Sequence, residues 1–155
     1  MSLPRLRPDR LVITVTGRPA PQGSKRLGEH GQMLEQSRYL PAWRSAVVRD
    51  TYRAYRDLGI GPEGLPVFAE GPLVVSIEFY LSPAQLTLGR IDGPPDLDKL
   101  CRSTWDALTH ARMWTDDGQV AEVTETRKVL AAGTFTGAFI TARRSIIGVD
   151  GGTVR

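Results

Sequence analysis

The clearest strand signal in the chain is Leu73-Val-Val-Ser-Ile-Glu-Phe-Tyr-Leu81, in which every odd-numbered residue is apolar. These odd-numbered side chains share one face of an extended chain, because side chains alternate along a strand. The β-branched segment 11–16 shows the same alternation, with Leu11, Ile13 and Val15 on one side. The two segments therefore predict a sheet with one buried face.

Two amphipathic helices and two further strands are predicted around this strand. Residues 41–58 and 97–111 carry apolar residues at helical spacing. Residues 17–37 are rich in glycine, proline and polar side chains, which favour loops. Residues 119–130 and 134–143 are rich in valine and threonine and predict strands. The fold class is therefore α/β or α+β, a small mixed β-sheet flanked by two main helices.

The composition is that of an ordinary globular protein of 155 residues, 41% hydrophobic and 24% charged. Residues 1–147 are expected to form a single domain, followed by a glycine-rich, flexible tail at 148–155. The single cysteine, Cys101, excludes an internal disulfide and a cysteine-rich zinc site. No segment approaches the roughly 20 apolar residues of a membrane span, and none has the pattern of a signal peptide. We therefore expect a cytoplasmic protein without a membrane partner.

The net charge of +3 is unevenly distributed along the chain. Residues 1–56 carry 11 basic and 4 acidic residues, a net of +7, and residues 57–155 carry 9 basic and 13 acidic residues, a net of −4. A phosphate-binding surface around a cation-binding pocket would give this distribution. Ordinary variation in surface composition would give it as well.

The stretch with the strongest chemical signal is Pro94-Pro95-Asp96-Leu97-Asp98-Lys99-Leu100, where the chain enters the second helix. The two prolines keep the chain extended up to Asp96, so Asp96 and Asp98 straddle the junction and can converge on one point. Asp116 and Asp117 follow the far end of the same helix. Carboxylates without histidine or cysteine suit a hard cation such as Mg²⁺. Four acids around one short helix repel each other unless a cation or a raised pKa relieves them.

Each acid also has an interpretation without catalysis. Asp96 could be an N-cap that stabilises the helix by ~1 kcal/mol, and Asp98 could favour the helix dipole. Asp117 and the glycine after it could form only a turn. Asp98, Arg102 and Asp106 recur every four residues and could form a solvated ion-pair ladder. Alternatively, Arg102 could hold a phosphate beside a metal ion.

Taken together, these residues resemble the RusA-type Holliday junction resolvases. The matching features are Pro95-Asp96-Leu97-Asp98-x-Leu100, Asp-Ala-Leu at 106–108, Asp116-Asp117 before Gln119-Val120, and Gly17-x-Pro19-x-Pro21 after the first strand. The resemblance spans roughly residues 11–142 and is densest over 95–120. It implies a Mg²⁺-dependent homodimer, of a kind common in phages and prophages, that cuts four-way DNA junctions by paired symmetric nicks.

The resemblance also implies the roles of individual residues. The metal-binding acids fall on Asp96, Asp98 and Asp117, and the family's catalytic lysine falls on Arg102. Asp117 is preferred to its neighbour on the family alignment alone. The implied cofactor is Mg²⁺, for which Mn²⁺ could substitute. Lys99 stands where the family often has asparagine, so it either contacts phosphate or weakens metal binding.

Phosphate contacts are predicted for Arg18, Lys25, Arg26, Lys99 and Arg102. The expected function is a structure-selective endonuclease that resolves four-way junctions through metal-activated water. The alternative is a non-catalytic, branched-DNA-binding dimer of the same fold, which Lys99 keeps open. A calcium-binding protein is disfavoured, because the chain has no 12-residue calcium-loop pattern.

The remaining aromatic and basic residues are expected to be structural. Trp43, Trp105 and Trp114 are predicted to lie in the core, and Trp114, next to the acids, is the one best placed to reach DNA. The first helix is expected to present an ordinary solvated face that contains the arginines at 44, 49, 53 and 56.

Overall fold

The computed structural model describes residues 8–23, 25–27, 29–30, 33–35 and 38–146, and the side chains of 25–27 and 33–35 are not among the described parts. In chain order the elements are β1 (Arg10–Thr16), β2 (Lys25–Leu27), β3 (Met33–Glu35), α1 (Leu40–Asp57), β4 (Leu73–Leu81), α2 (Leu97–His110), β5 (Val120–Val123), β6 (Arg127–Leu130) and β7 (Gly137–Arg144). The predicted tail, 148–155, falls outside the described residues.

Five strands form one mixed sheet in the order β1-β7-β4, and β5 and β6 both pair with β4 on the side away from β7. β7 is antiparallel to β1 and to β4, whereas β5 and β6 run parallel to β4. β2 and β3 form a separate antiparallel pair. Parallel neighbours need a crossover connection, and α2 provides it between β4 and β5. The predicted α+β fold, a small mixed sheet with two main helices, is thus confirmed.

The burial of the strands follows the alternation that predicted them. Leu11, Ile13 and Val15 of β1 are buried, and the residues between them are exposed. The buried face continues across the sheet, because Ile13 lies opposite Ile140 of β7, which in turn lies opposite Ile77 of β4. The helices pack on this face, and the sheet therefore separates a helical layer from an open face.

α1 and α2 pack against each other, and α1 also contacts β1. α1 has Pro41 in its first turn, where the missing N–H costs no hydrogen bond. Trp43 and Val47 are buried on its inner side, as are Leu100 and Leu108 on α2. Both helices begin and end within one residue of their predicted bounds. None of the helices that the structure describes is long and apolar enough to cross a membrane.

The segment predicted as a single strand over 119–130 is two strands. β5 ends at Val123 and β6 begins at Arg127, four residues later, but their partners on β4, Val75 and Glu78, are only three residues apart. One extra residue is therefore inserted on the β5–β6 side, which is the definition of a β-bulge. We call the residues between the two strands, 124–126, the β5–β6 bulge.

Two smaller corrections concern strand bounds. Residues 25–27 and 33–35 form strands within a stretch predicted as loop, because three residues carry too little alternation to be recognised. The last strand begins at Gly137, later than predicted. Gly137 has a φ of 152°, and a Cβ there would lie 1.9 Å from the carbonyl oxygen of Val15. Only glycine fits this close approach of β7 to β1.

Candidate active site

Asp96 is the N-cap residue of α2 and has an extended backbone, with φ −73° and ψ 137°. Its carbonyl oxygen accepts the first helical hydrogen bond from the N–H of Leu100, at 3.0 Å. Its carboxylate makes no capping hydrogen bond and is 55% exposed. The N-cap interpretation therefore accounts for the place of Asp96 in the helix but not for its carboxylate, which the helix does not use.

Asp98 lies in the first turn of α2 and lines an open cleft of about 610 Å³. We call it the Asp98 cleft; α2 and the β5–β6 bulge form its walls, which include Arg102, Trp105, Glu125 and Thr126. Burial, and then the nearby Asp98 carboxylate, raise the pKa of the Cys101 thiol to about 11. The thiol therefore stays protonated at neutral pH and is no nucleophile. The charges that remain in the cleft are those of Asp98, Arg102 and Glu125.

Arg102 follows Asp98 by one turn of α2 and shares its cleft. Its side chain is exposed and forms no ion pair with any acid in the described ranges. Asp106, one turn further, pairs with Arg44 of α1 at 3.3 Å. The alternative of an ion-pair ladder along α2 is therefore not what the structure forms. The Arg102 guanidinium can instead hold a phosphate beside Asp98 by two parallel hydrogen bonds.

Asp116 and Asp117 lie in the turn between α2 and β5, and their environments differ. The Asp116 carboxylate accepts the N–H of Gly118 at 3.1 Å, and the side-chain oxygen of Gln119 accepts the N–H of Asp116 at 3.1 Å. This reciprocal arrangement is a capping box. The Asp117 carboxylate is exposed and accepts no hydrogen bond from any residue that the structure describes. Of the two acids, Asp117 is the one whose carboxylate is available to a ligand.

The three acids implied by the resemblance do not meet within one chain. Asp117 lines a second cleft of about 650 Å³, together with Asp106 and His110. Those two residues follow Asp98 by eight and twelve positions, which is roughly 12 and 18 Å along a helix. Over the described part of the chain, no group of three or more His, Cys, Asp or Glu side chains is arranged to hold a metal ion. Asp96 and Asp98 thus occupy one end of α2, and Asp117 the other.

A model of the family described as Endodeoxyribonuclease RusA matches residues 16–136 of the chain. The chain belongs to the RusA endodeoxyribonuclease family. It is therefore an endodeoxyribonuclease, a Holliday junction resolvase that acts on branched DNA. RusA nucleases generally depend on a divalent metal. No curated protein matches the sequence significantly.

Lys99 forms an ion pair with Asp96, one of the two predicted metal-binding acids at the start of α2. Its Nζ lies 3.9 Å from Oδ2 of Asp96, and the two side chains are 41% and 55% exposed. Ion pairs with such exposure contribute about 0–1 kcal/mol, so a competing cation can displace this one. The backbone carbonyl of Lys99 accepts the N–H of Gln22 at 2.9 Å. The loop after β1 is thereby attached to the helix that carries the acids.

The residues predicted to bind phosphate in this RusA chain are only partly described. The guanidinium of Arg18 stacks on the ring of Tyr39, 3.7 Å from its centroid. Lys25 and Arg26 lie in β2, and their side chains fall outside the description. The arginines of α1 do not form a simple solvated face: one pairs with Asp106, and two bind the buried carboxylate of Asp50.

Trp114 lies in the core, as predicted for all three tryptophans, and this burial rules it out as the one best placed to reach DNA. Trp114 is 1% exposed, and its indole N–H donates to the hydroxyl of Thr109 at 2.6 Å. Trp105, predicted to be core, instead lines the Asp98 cleft, and its buried indole nitrogen has no partner among the described residues. Trp105 follows Asp98 by seven positions, so helical periodicity contains a signal that both lie on one side of α2. Trp43 is buried as predicted.

Two further charged residues near the RusA acids were not expected from the sequence. Glu125, in the β5–β6 bulge, lines the Asp98 cleft and has a left-handed φ of 46°. Lys128, on β6, donates hydrogen bonds from its ammonium to the carbonyl oxygens of Gly93 and Pro95. No local sequence signal identifies either residue, because both positions follow from the bulge.

Proposed function

We propose that this nuclease resolves four-way DNA junctions as a Mg²⁺-dependent homodimer in the cytoplasm, by paired symmetric nicks. The observation that supports this best is the carboxylate of Asp96, which leaves the helix uncapped and stays exposed in the same helical turn as Asp98. An uncapped helix end forgoes about 1 kcal/mol. Such an arrangement is expected where a bound cation stabilises the carboxylate instead.

The residues present fit a hard divalent cation. Asp96 and Asp98 supply oxygen ligands only, a donor set that suits Mg²⁺ and accepts Mn²⁺. When bound, such an ion lowers the pKa of a coordinated water and stabilises charge on the phosphate. Because Asp117 lies at the opposite end of α2, its carboxylate joins this pair only from a second copy of the chain. The homodimer is therefore part of the proposal.

Arg102 and Lys99 are the cations proposed to bind DNA phosphates at the site, Arg102 the reacting phosphate and Lys99 the next one. Arg102, beside Asp98 in the cleft, binds two phosphate oxygens and stabilises the negative charge that develops as the P–O bond breaks. Lys99 releases Asp96 and contacts a neighbouring phosphate, because its exposed ion pair is weak. Both roles require only that the scissile phosphate enters the Asp98 cleft.

Recognition depends on backbone charge and junction shape more than on base sequence. Arg18, Lys25 and Arg26 contact DNA backbone phosphates next to the site. Junction affinity therefore falls steeply as the salt concentration rises. A four-way junction has two-fold symmetry, which a C₂ dimer matches. Two equivalent sites then cut opposed strands at symmetric positions.

Cleavage of a labelled synthetic four-way junction in Mg²⁺ tests the proposal, with wild type beside Asp98→Asn. The matched control is Asp57→Asn, an exposed acid at the end of α1 that lines neither the Asp98 cleft nor the cleft of Asp117. We expect paired symmetric cuts in wild type and in the control, and no cuts but normal junction binding in Asp98→Asn. Equal cutting of linear duplex would contradict the junction selectivity.

A non-catalytic junction-binding dimer is the second candidate, because the ammonium of Lys99 competes with a metal ion for Asp96. Junction binding without cuts in Mg²⁺ or Mn²⁺ would favour it. Lys99→Asn distinguishes the two cases. Under the leading proposal this variant keeps cleavage, and under the second candidate it gains cleavage that wild type lacks.

A further inference from the structure

Lys128 of β6 contacts the segment that precedes α2, and its ammonium binds two backbone carbonyl oxygens of that segment. Its side chain is half-buried, and its Nζ is 2.8 Å from the carbonyl oxygen of Gly93 and 3.0 Å from that of Pro95. It forms no ion pair within 4 Å with an acid in the described ranges. One hydrogen bond thus ends one residue before Asp96, and the other ends three residues before it.

The segment that Lys128 holds has few other hydrogen bonds. Pro94 and Pro95 have no N–H to donate. One backbone bond reaches the carbonyl of Pro94 and one leaves the N–H of Gly93, and both are 3.4 Å long, near the limit for a hydrogen bond. The two short bonds from Lys128 are charge-assisted and stronger. Lys128 is thus the main polar attachment of this segment.

Because of the β5–β6 bulge, the side chain that faces the loop before α2 is that of Lys128 and not that of Arg127. Lys128 is in register with Phe79, which is buried on the helical side of the sheet. Its neighbour Arg127 is in register with Glu78 and binds that carboxylate on the other face, at 2.7 Å. Without the extra residue of the bulge, Arg127 and Lys128 would exchange faces. The bulge therefore places a compact ammonium under the loop that precedes Asp96.

We propose that Lys128 is a positioning residue for the metal-binding carboxylate of Asp96. By holding the carbonyl of Pro95, it fixes the peptide plane from which Asp96 projects, and so the direction of the carboxylate. The inference rests on the proposed function, in which Asp96 binds the divalent ion. Outer residues that orient a metal ligand typically contribute about 10–100-fold in metal affinity or activity.

The test compares Lys128→Met and Lys128→Arg with Arg127→Met, all in the full-length protein. Arg127→Met is the matched control, because it removes a cation from the adjacent residue but on the opposite face of the sheet. Two readouts do not depend on cleavage: binding of Mn²⁺ alone, measured by electron paramagnetic resonance, and metal-free hydrogen exchange of a peptide that covers residues 92–100. Single-turnover junction cleavage as a function of Mg²⁺ concentration is the third readout.

Lys128→Met is expected to weaken Mn²⁺ binding about tenfold or more and to speed amide exchange at Gly93 and Leu100, whose N–H groups are hydrogen-bonded in this peptide. Junction affinity in Ca²⁺ should be unchanged, and excess Mg²⁺ should restore cleavage, because the defect lies in metal affinity. Lys128→Arg keeps two donors and should recover part of the Mn²⁺ affinity. Arg127→Met should match wild type in Mn²⁺ affinity and in exchange of this peptide.

The inference would be overturned if Lys128→Met bound Mn²⁺ with the affinity of wild type and its amides exchanged at the wild-type rate. Equal losses in Arg127→Met would also overturn it, since they would indicate a general weakening of the sheet. If wild type binds Mn²⁺ but cuts no junction, the proposed function fails, and the Mn²⁺ and exchange measurements still decide the role of Lys128.

Discussion

The indole N–H of Trp43 in α1 donates a hydrogen bond to the hydroxyl of Thr104 in α2, 3.1 Å away. Both residues are buried, and the hydroxyl in turn donates to the carbonyl of Leu100 at 2.8 Å. The contact lies six residues after Asp98 along α2. The helix that carries the acids is thus held in register with α1 by a satisfied polar contact as well as by apolar packing.

Thr104→Val should destabilise the protein, because it keeps a similar shape but leaves the buried indole N–H of Trp43 without an acceptor. We expect the free energy of unfolding to fall by about 1–3 kcal/mol, measured by urea denaturation. Thr14→Val, on the exposed side of β1, is the control and should change it by less than about 0.5 kcal/mol. Similar losses in both variants would contradict the importance of the contact.

Asp50 should make stability depend on pH. Burial alone would raise its pKa, but hydrogen bonds from Arg49 and from the N–H of Thr16, and the charge of Arg53, outweigh burial and hold the pKa below its usual value. Such a carboxylate stabilises the fold above its unfolded pKa, roughly 3.9, and this contribution is lost as pH falls through the folded pKa. Asp50→Asn should therefore cost about 2 kcal/mol of unfolding free energy at neutral pH.

Urea denaturation of Asp50→Asn at neutral pH and near pH 3 checks this prediction. The deficit against wild type should shrink as pH falls below the unfolded pKa towards the folded one, because the unfolded wild-type chain then binds a proton that folded Asp50 resists. Asp57→Asn, an exposed acid near the end of α1, should show little difference at either pH. A deficit for Asp50→Asn that is the same at both pH values would contradict the assignment.

Substitutions of Asp116 and Asp117 should have different kinds of effect. Asp116→Ala removes the capping box and should lower the free energy of unfolding by about 1 kcal/mol. Asp117→Ala loses no described hydrogen bond, so stability should hold, while cleavage falls by about 100-fold or more if it binds the metal. Thermal unfolding and junction cleavage are measured on both variants. The reverse pattern would make Asp116 the ligand.

Arg102→Met and Arg102→Lys separate charge from geometry at the cleft. The methionine variant should cut about 100-fold more slowly in single turnover. A plot of log junction affinity against log salt concentration should become less steep by about 1. The lysine variant should recover the slope but only part of the rate, because one ammonium cannot make the bidentate contact. Arg143→Met, on the open face of the sheet, is the control. Wild-type cleavage by Arg102→Met would exclude the role.

The sequence predicts those elements whose signal is local. Alternation predicts β4 over 73–81 to the residue, and helical spacing predicts α2 within one residue of its end. The two prolines correctly place Asp96 at the start of that helix. The RusA resemblance is confirmed by the family match over 16–136. The assignment of Asp96, Asp98 and Asp117 as metal ligands stays a prediction.

Features that depend on contacts distant in the chain could not be predicted. The β5–β6 bulge arises from the register of two strands against β4, and the place of Lys128 follows from it. The direction in which the chain leaves α2 puts Asp117 in a different cleft from Asp98, and no local pattern contains that direction. Periodicity also could not tell that Trp114 is packed beneath the turn while Trp105 borders a cleft.

A screen for thermal stability would reject the residue at position 96. Serine or asparagine there can cap α2, which the Asp96 carboxylate does not do, and so would keep or raise the free energy of unfolding, while removing a carboxylate proposed to bind the ion. Stability-guided or consensus redesign would therefore rank inactive variants first at this position. Engineering of this nuclease should hold position 96 fixed, or score each variant for both heat resistance and junction cleavage.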